Sequence, residues 1–267
     1  MAAPDLPRRR ASAAVIVGGI VFITAVIVGG LAWTRSDPWE RTGPPITVAA
    51  WAPYWQSDTA LQSFRSNSEL FSDVSVVAFS AVSGDSITTY PQVPASMISD
   101  YRAAATDRDV PLIATIFDDS PSGTMAATFA DTTARAAHVE LIVRLVVDGG
   151  FDGVDLDYEK FAYSDDRSTW ATTRPNWIAF LTDLSAALHT LGKELIVSVP
   201  PVYDGGQTSE SGYWVYDHAA MAPLVDRIRI MAYDYSFQGG DPGPIAPIDW
   251  VQGLVDALTE LVDPAKL

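Results

Sequence analysis

The chain has 267 residues, 33 of them acidic against 17 basic, for a formal charge of −16. So acidic a surface is repelled by nucleic acid and by anionic polymers, which excludes nucleic acid as a partner and favours a neutral or locally cationic one. No cysteine is present, so a disulfide framework and thiol chemistry are both excluded.

Residues 1–12 carry Arg8, Arg9 and Arg10 and form a basic tail, expected on the cytoplasmic side of a membrane. Residues 13–33 then contain no charged residue and no proline, a run of 21. That is enough to span a bilayer as one helix, whereas the apolar core of a cleaved signal peptide is typically about 7–15 residues. The expectation is a single-pass signal anchor in the cell membrane, with everything after Trp33 outside. Cleavage near Gly30-Leu31-Ala32, giving a secreted protein, is the alternative. Residues 34–45, rich in proline and polar side chains, read as a linker. Because the first forty residues sum to +1, the outward part carries −17.

From residue 46 onward, apolar runs alternate with helical patterns at short intervals, which predicts parallel α/β architecture. Ile46–Trp51 is a first buried strand, leading into Ala52-Pro53-Tyr54-Trp55. A helix over Leu61–Phe71 and a strand over Val74–Phe79 follow, then a polar loop containing Gly84, Pro91 and Pro94. Ala95–Thr106 is helical, Pro111–Phe117 is the third strand, and Met125–Val147 has helical spacing. After the fourth strand, Asn176–Leu191 puts Trp177, Phe180, Leu181, Leu184 and Leu188 on one helical face. Leu195–Val199 and Arg227–Tyr233 are the fifth and sixth strands, and Trp250–Leu261 is the last helix.

The fourth strand is the informative one. Gly149-Gly150-Phe151-Asp152-Gly153 is a glycine turn running into Val154-Asp155-Leu156-Asp157-Tyr158-Glu159. Strand alternation puts Asp155, Asp157 and Glu159 on one face, about 6–7 Å apart along the strand, and Val154, Leu156 and Tyr158 on the other. Three neighbouring carboxylates without a basic residue between them repel one another, so one should hold a proton near neutral pH and serve as a general acid. A solvated acidic face is the plainer alternative. A calcium loop is excluded by Lys160, which stands where such a loop needs glycine, and no metal is expected.

Asp152-Gly-Val-Asp155-Leu-Asp157-Tyr-Glu159 resembles the DxxDxDxE signature of glycoside hydrolase family 18, the chitinase-like hydrolases. Ile230-Met231-Ala232-Tyr233-Asp234 resembles that family's Met-x-Tyr-Asp motif. The resemblance implies a (β/α)8 TIM barrel over residues 46–267 and hydrolysis of β-linked N-acetylglucosamine glycans, chitin-type or peptidoglycan. The implied mechanism is substrate-assisted, without cofactor or metal, and the implied protein is a monomer. By the same resemblance Glu159 protonates the glycosidic oxygen, Asp157 orients the acetamide, Asp155 shares a proton with Asp157, and Tyr233 binds the acetamido oxygen. Asp152, Met231, Asp234 and Tyr158 are assigned to the substrate side, with Trp51, Tyr54 and Trp55 as candidate sugar platforms. Only six βα units are predicted where a closed barrel has eight, so the expected barrel is truncated after the sixth. Ala114-Thr115-Ile116-Phe117-Asp118-Asp119 replaces the Ser-x-Gly-Gly of many chitinases and resembles more closely the bacterial cell-wall and spore-cortex members. A chitinase-like lectin, binding without cleaving, is the rival reading; the intact Glu159 argues against it.

Overall fold

The computed structural model of the protein describes residues 48–201, 212–237 and 239–267. The tail, membrane span and linker expected over residues 1–45 lie outside them. No helix among the described residues is long and apolar enough to cross a membrane.

Short runs of Val, Ile, Leu and Ala form the strands, and the helices between them force the strands parallel. The strands are β1 (Val48–Pro53), β2 (Phe71–Ser83), β3 (Ser86–Thr89), β4 (Leu112–Asp118), β5 (Gly153–Asp157), β6 (Glu194–Val199) and β7 (Arg227–Ile230). Their order is β1-β2-β4-β5-β6-β7, every neighbouring pair parallel, with β3 antiparallel on β2. The connecting helices are α1 (Ser57–Ser66), α2 (Met97–Thr106), α3 (Thr124–Ala130), α4 (Thr132–Asp148), α5 (Lys160–Tyr163), α6 (Trp170–Thr190) and α7 (His218–Met221). Helix α8 (Ile248–Thr259) follows β7.

The sheet curls. Arg229 on β7 reaches across its concave side to the hydroxyl of Ser75 on β2, at 2.7 Å, which requires the sheet to bend back on itself. β1 and β7 do not pair with each other, and a groove of about 660 Å³ between them is lined by Ala49, Ile228, Val255 and Leu267. The described sheet is therefore the arc that six βα units of a (β/α)8 barrel supply.

Three local features depart from the sequence expectation. The loop at Gly84 is a hairpin, because Ser80-Ala81 and Ile87-Thr88 continue the ladder beyond the apolar run. The long helix over residues 125–147 is broken at Asp131, whose backbone is extended and whose carboxylate accepts from the N–H groups of Thr133 and Ala134 to start α4. β7 ends at Ile230, so Met231 to Asp234 leave the sheet.

The core lies between the sheet's convex face and the helices. Val154 and Leu156 from β5, and Tyr158 just past its end, are fully buried there. Phe129, Phe161, Trp177, Phe180 and Tyr216 form an aromatic tier beside them, with Phe129 stacked on Phe180 at 4.7 Å. With its apolar side thus occupied, β5 must turn its acids to the concave side.

Candidate active site

All six parallel strands end on one side of the sheet, and there a cleft of about 510 Å³ opens, the size of a small-ligand site. Asp157 and Glu159 line it from the end of β5, Met231, Tyr233 and Asp234 from beyond β7, and Trp51 and Trp55 from β1 and the turn after it.

Glycine sets the approach of β5. Gly150 adopts φ +62°, the left-handed region that favours glycine. A Cβ at Gly153 would meet the Glu194 carbonyl oxygen at 2.6 Å, so this position must be glycine for β5 to pair with β6. Asp155 and Asp157 then project to the concave side, and Glu159 follows just past the strand end, leading into α5.

Asp157 is 3% exposed and lines the cleft together with Glu159. Burial, then the charges of Glu159 and Asp155, push Asp157 well above the ordinary carboxylate range, and burial pushes Glu159 up as well. Raised in this way, the two carboxyls retain a proton at a pH where free carboxyls would have lost it. A protonated carboxyl at the edge of a cleft is a general acid.

Asp155 lies beneath them, fully buried. Its Oδ2 accepts from the indole N–H of Trp51 at 2.7 Å, from Arg229 at 2.8 Å and from Thr115 at 3.4 Å; its Oδ1 accepts from Ser198 at 2.8 Å. These four donors engage both of its oxygens.

On the opposite wall, the Tyr233 phenol is held far above its usual range, by burial first and then by the charges of Asp157 and Glu159. It therefore stays protonated, a hydrogen-bond donor in the lining of the same cleft. Asp234 follows with φ +60°, a left-handed conformation that aspartate tolerates better than most residues, and which turns the chain out of the sheet. Among the described residues, no group of three or more His, Cys, Asp or Glu is arranged to hold a metal ion.

The family model for glycosyl hydrolases family 18 matches residues 49–266. The chain belongs to family 18. It is 31% identical over 137 residues to the sporulation-specific glycosylase named YdhD of Bacillus subtilis, a match covering 51% of this chain and 30% of that one. A solved chitinase from Chromobacterium violaceum superposes with a TM-score of 0.70 at 25% identity, over 82% of this chain and 67% of the other. The spore cortex-lytic enzyme SleL of Bacillus cereus, at 18% identity, shares the fold with a TM-score of 0.69. The matches to YdhD and to the glycosylase YvbX span 30% and 47% of those proteins' lengths.

Within this family 18 chain, the expected site residues divide by position. Asp157, Glu159, Trp51, Met231, Tyr233 and Asp234 share the cleft, with Asp155 directly under it. Tyr158 does not reach the cleft. It points to the convex side, wholly buried, with its hydroxyl on His138 at 2.9 Å. Asp152 lies at the far end of β5, outside the cleft lining, where its carboxylate accepts from the Leu112 N–H at 2.9 Å. Tyr54 packs against Trp55 and Tyr90, beside the cleft and outside its lining, and the exposed platform at this corner is Trp55, 61% exposed. Sequence reasoning missed Phe117 and Tyr163, which also line the cleft, and Arg229. Strand parity was the available signal for Phe117 and Arg229; Tyr163 sits in a short helix that nothing local announces.

Proposed function

We propose that this chain hydrolyses β-linked N-acetylglucosamine glycans, chitin-type or peptidoglycan, with retention of configuration and with the substrate's own acetamide as nucleophile. The observation that carries this reading is the placing of Asp157 and Glu159 on one cleft, with Asp157 buried and both carboxyls pushed up, which disfavours Asp157 as an anionic nucleophile. A retaining pair that uses a carboxylate nucleophile holds its two carboxyls about 5–5.5 Å apart, and an inverting pair about 6.5–9.5 Å apart. Asp157 and Glu159 come from one strand end, two residues apart, and not from two walls of the cleft. Asp155 cannot replace them, being buried and surrounded by donors.

In this reading Glu159 protonates the glycosidic oxygen as the bond breaks. Asp157 accepts from the acetamide N–H and stabilises the positive charge of the oxazolinium ring. Tyr233 donates to the acetamido oxygen, and Trp55 or Trp51 supports a sugar face. Water then opens the ring, with Glu159 taking back a proton. The test is hydrolysis of an N-acetylglucosamine oligomer followed by NMR, beside the matching glucoside. The β-anomer should form first and the glucoside should stay intact; efficient glucoside cleavage, or a covalent sugar trapped on Asp155 or Asp157, would overturn the reading.

The uncharged run 13–33 after three arginines supports a membrane-held, outward-facing domain. Protease added to intact cells should remove the domain and spare the N-terminus. Protection until lysis would refute that orientation.

A further inference from the structure

The strand that carries the acids stops pairing before it reaches the last of them. The β5 ladder ends at Asp157, so the carbonyl of Tyr158, in the peptide that joins it to Glu159, lies past the last paired residue. It is met from the convex side. Tyr216, wholly buried in the turn Gly212–Tyr216 between β6 and β7, donates its hydroxyl to the Tyr158 carbonyl oxygen at 2.7 Å. On the other side of the acid, the Glu159 carbonyl oxygen accepts from the N–H groups of Ala162 at 2.9 Å and Tyr163 at 3.2 Å as α5 begins. Both peptide groups that flank the acid are thereby held, and neither bond occupies its carboxyl.

Packing alone does not call for a hydroxyl at position 216. The Tyr216 ring meets Phe161 at 5.0 Å and Trp177 at 6.0 Å, a setting that phenylalanine would fill, and a buried hydroxyl is costly unless it finds a partner. Its proton is held far above the ordinary range, by burial first and then by the charge of Glu159, so the group remains a donor. The turn is braced from α6. Arg174 bonds the Trp214 carbonyl oxygen, lies over the Trp214 ring at 4.5 Å and pairs with Asp217 at 2.7 Å. A braced donor on the peptide ahead of Glu159 sets the direction of that side chain, because the carbonyl cannot turn without turning Glu159 with it.

We propose that Tyr216 is a positioning residue that fixes the Tyr158–Glu159 peptide and so aims the Glu159 carboxyl at the glycosidic oxygen. The inference rests on the acid's role given to Glu159 above. Without the hydroxyl, the Tyr158 carbonyl is an unpaired acceptor in a dry core and turns to find a partner, which takes the acid out of line. A misplacement of about 1 Å at a reacting group costs on the order of 10²-fold.

The experiment compares Tyr216→Phe with wild type, as full chains below their melting transitions, on two kinds of N-acetylglucosamine glycoside. A sugar leaving group must be protonated to depart, whereas 4-nitrophenol departs with little help. Loss of folded protein lowers both rates alike; a misaimed acid lowers mainly the first. In Tyr216→Phe, kcat for an oligomer should fall about tenfold or more with KM unchanged, and kcat for the nitrophenyl glycoside by less than about threefold. Tyr158-Glu159 is the one Tyr-Glu peptide in the chain, so carbonyl-¹³C tyrosine with ¹⁵N-glutamate labelling gives it a single NMR signal, which should shift in the variant. Equal losses on both substrates, an unchanged oligomer rate, or an unmoved Tyr158 carbonyl signal would overturn the proposal. If Tyr216→Phe does not fold, Arg174→Lys, which loosens the turn and leaves the hydroxyl in place, is read in the same way. A wild-type chain that cleaves neither glycoside would sink the hydrolase reading, and the carbonyl signal, which needs no turnover, would still decide whether Tyr216 fixes this peptide.

Discussion

Asp157 and Glu159, two residues apart at the end of β5, line one cleft, and both carboxyls are pushed up from the ordinary range. Both are raised by burial, and Asp157 is raised further by the charges on either side of it along the strand. Asp155 supplies one of those charges from below, so the buried anion under the cleft helps keep the acid above it loaded.

Glu159→Gln keeps the shape of the side chain and removes its titrating proton. Hydrolysis of an N-acetylglucosamine oligomer should fall by about 10²–10⁴ in kcat, the usual worth of a general acid. Oligomer binding, measured by calorimetry on the same variant, should survive. A loss under about tenfold would take the acid's role from Glu159.

Asp157→Asn should inactivate the site and yet stabilise the fold. A carboxyl whose folded pKa is raised contributes stability that is fully present below its unfolded pKa near 4 and is lost as pH rises through the folded value. Asparagine never ionises, so it avoids that loss. At pH 8 the variant should exceed the wild type by about 1–3 kcal/mol, roughly 2–4 °C of Tm per kcal/mol for a domain of this size. The difference should shrink toward pH 4. Thermal melts across that range check it, and a variant less stable than wild type at pH 8 would contradict the raised pKa.

Tyr158→Phe separates motif from site. His138 Nδ1 lies 2.9 Å from the Gly84 carbonyl oxygen, so that nitrogen carries the hydrogen and Nε2 accepts from the Tyr158 hydroxyl. Burial pushes His138 down to about 4, which keeps the ring neutral for this role. Removing the hydroxyl should cost about 1–2 kcal/mol of stability through an unpaired buried nitrogen. KM for an oligomer should not move. A raised KM with unchanged stability would return Tyr158 to the substrate side.

The same alternation rule that was applied to β5 explains most of what the sequence revealed and part of what it hid. Val154, Leu156 and Tyr158 are the convex face by parity, and reading the motif as a block, instead of by face, is what put Tyr158 in the site. On β7, parity groups Arg227, Arg229, Met231 and Tyr233. Arginines at alternate positions ordinarily mark a solvated face. What makes them interior is Asp73, 154 and 156 residues away along the chain, and no local pattern announces a pairing of that separation. The hairpin at Ser86–Thr89 was invisible for a simpler reason, since its serine and threonine ladder has no apolar alternation to see. The cap at Asp131 was legible in principle, as an acid ahead of a helical run, but the apolar spacing on both sides of it reads as continuous.

The reading of Tyr233 as the acetamide's partner leads to the last prediction. If the acetamido oxygen attacks the anomeric carbon, the intermediate is a bicyclic oxazolinium ion, and the site should bind a stable mimic of it more tightly than substrate. A thiazoline derived from N-acetylglucosamine has that shape and cannot open in the same way. It should inhibit competitively, and its affinity should depend on the two groups expected to hold the ring, Asp157 through the ring nitrogen and Tyr233 through the atom that replaces the acetamido oxygen. Tyr233→Phe removes one donor from a charge-developing position, a change worth about 10²–10³ in kcat at comparable sites. Thiazoline affinity should drop in the same variant while affinity for the unreacted oligomer changes little, because the contact strengthens as the ring closes. Equal losses for oligomer and thiazoline would make Tyr233 an ordinary binding residue, and no inhibition at all by the thiazoline would remove the acetamide from the mechanism.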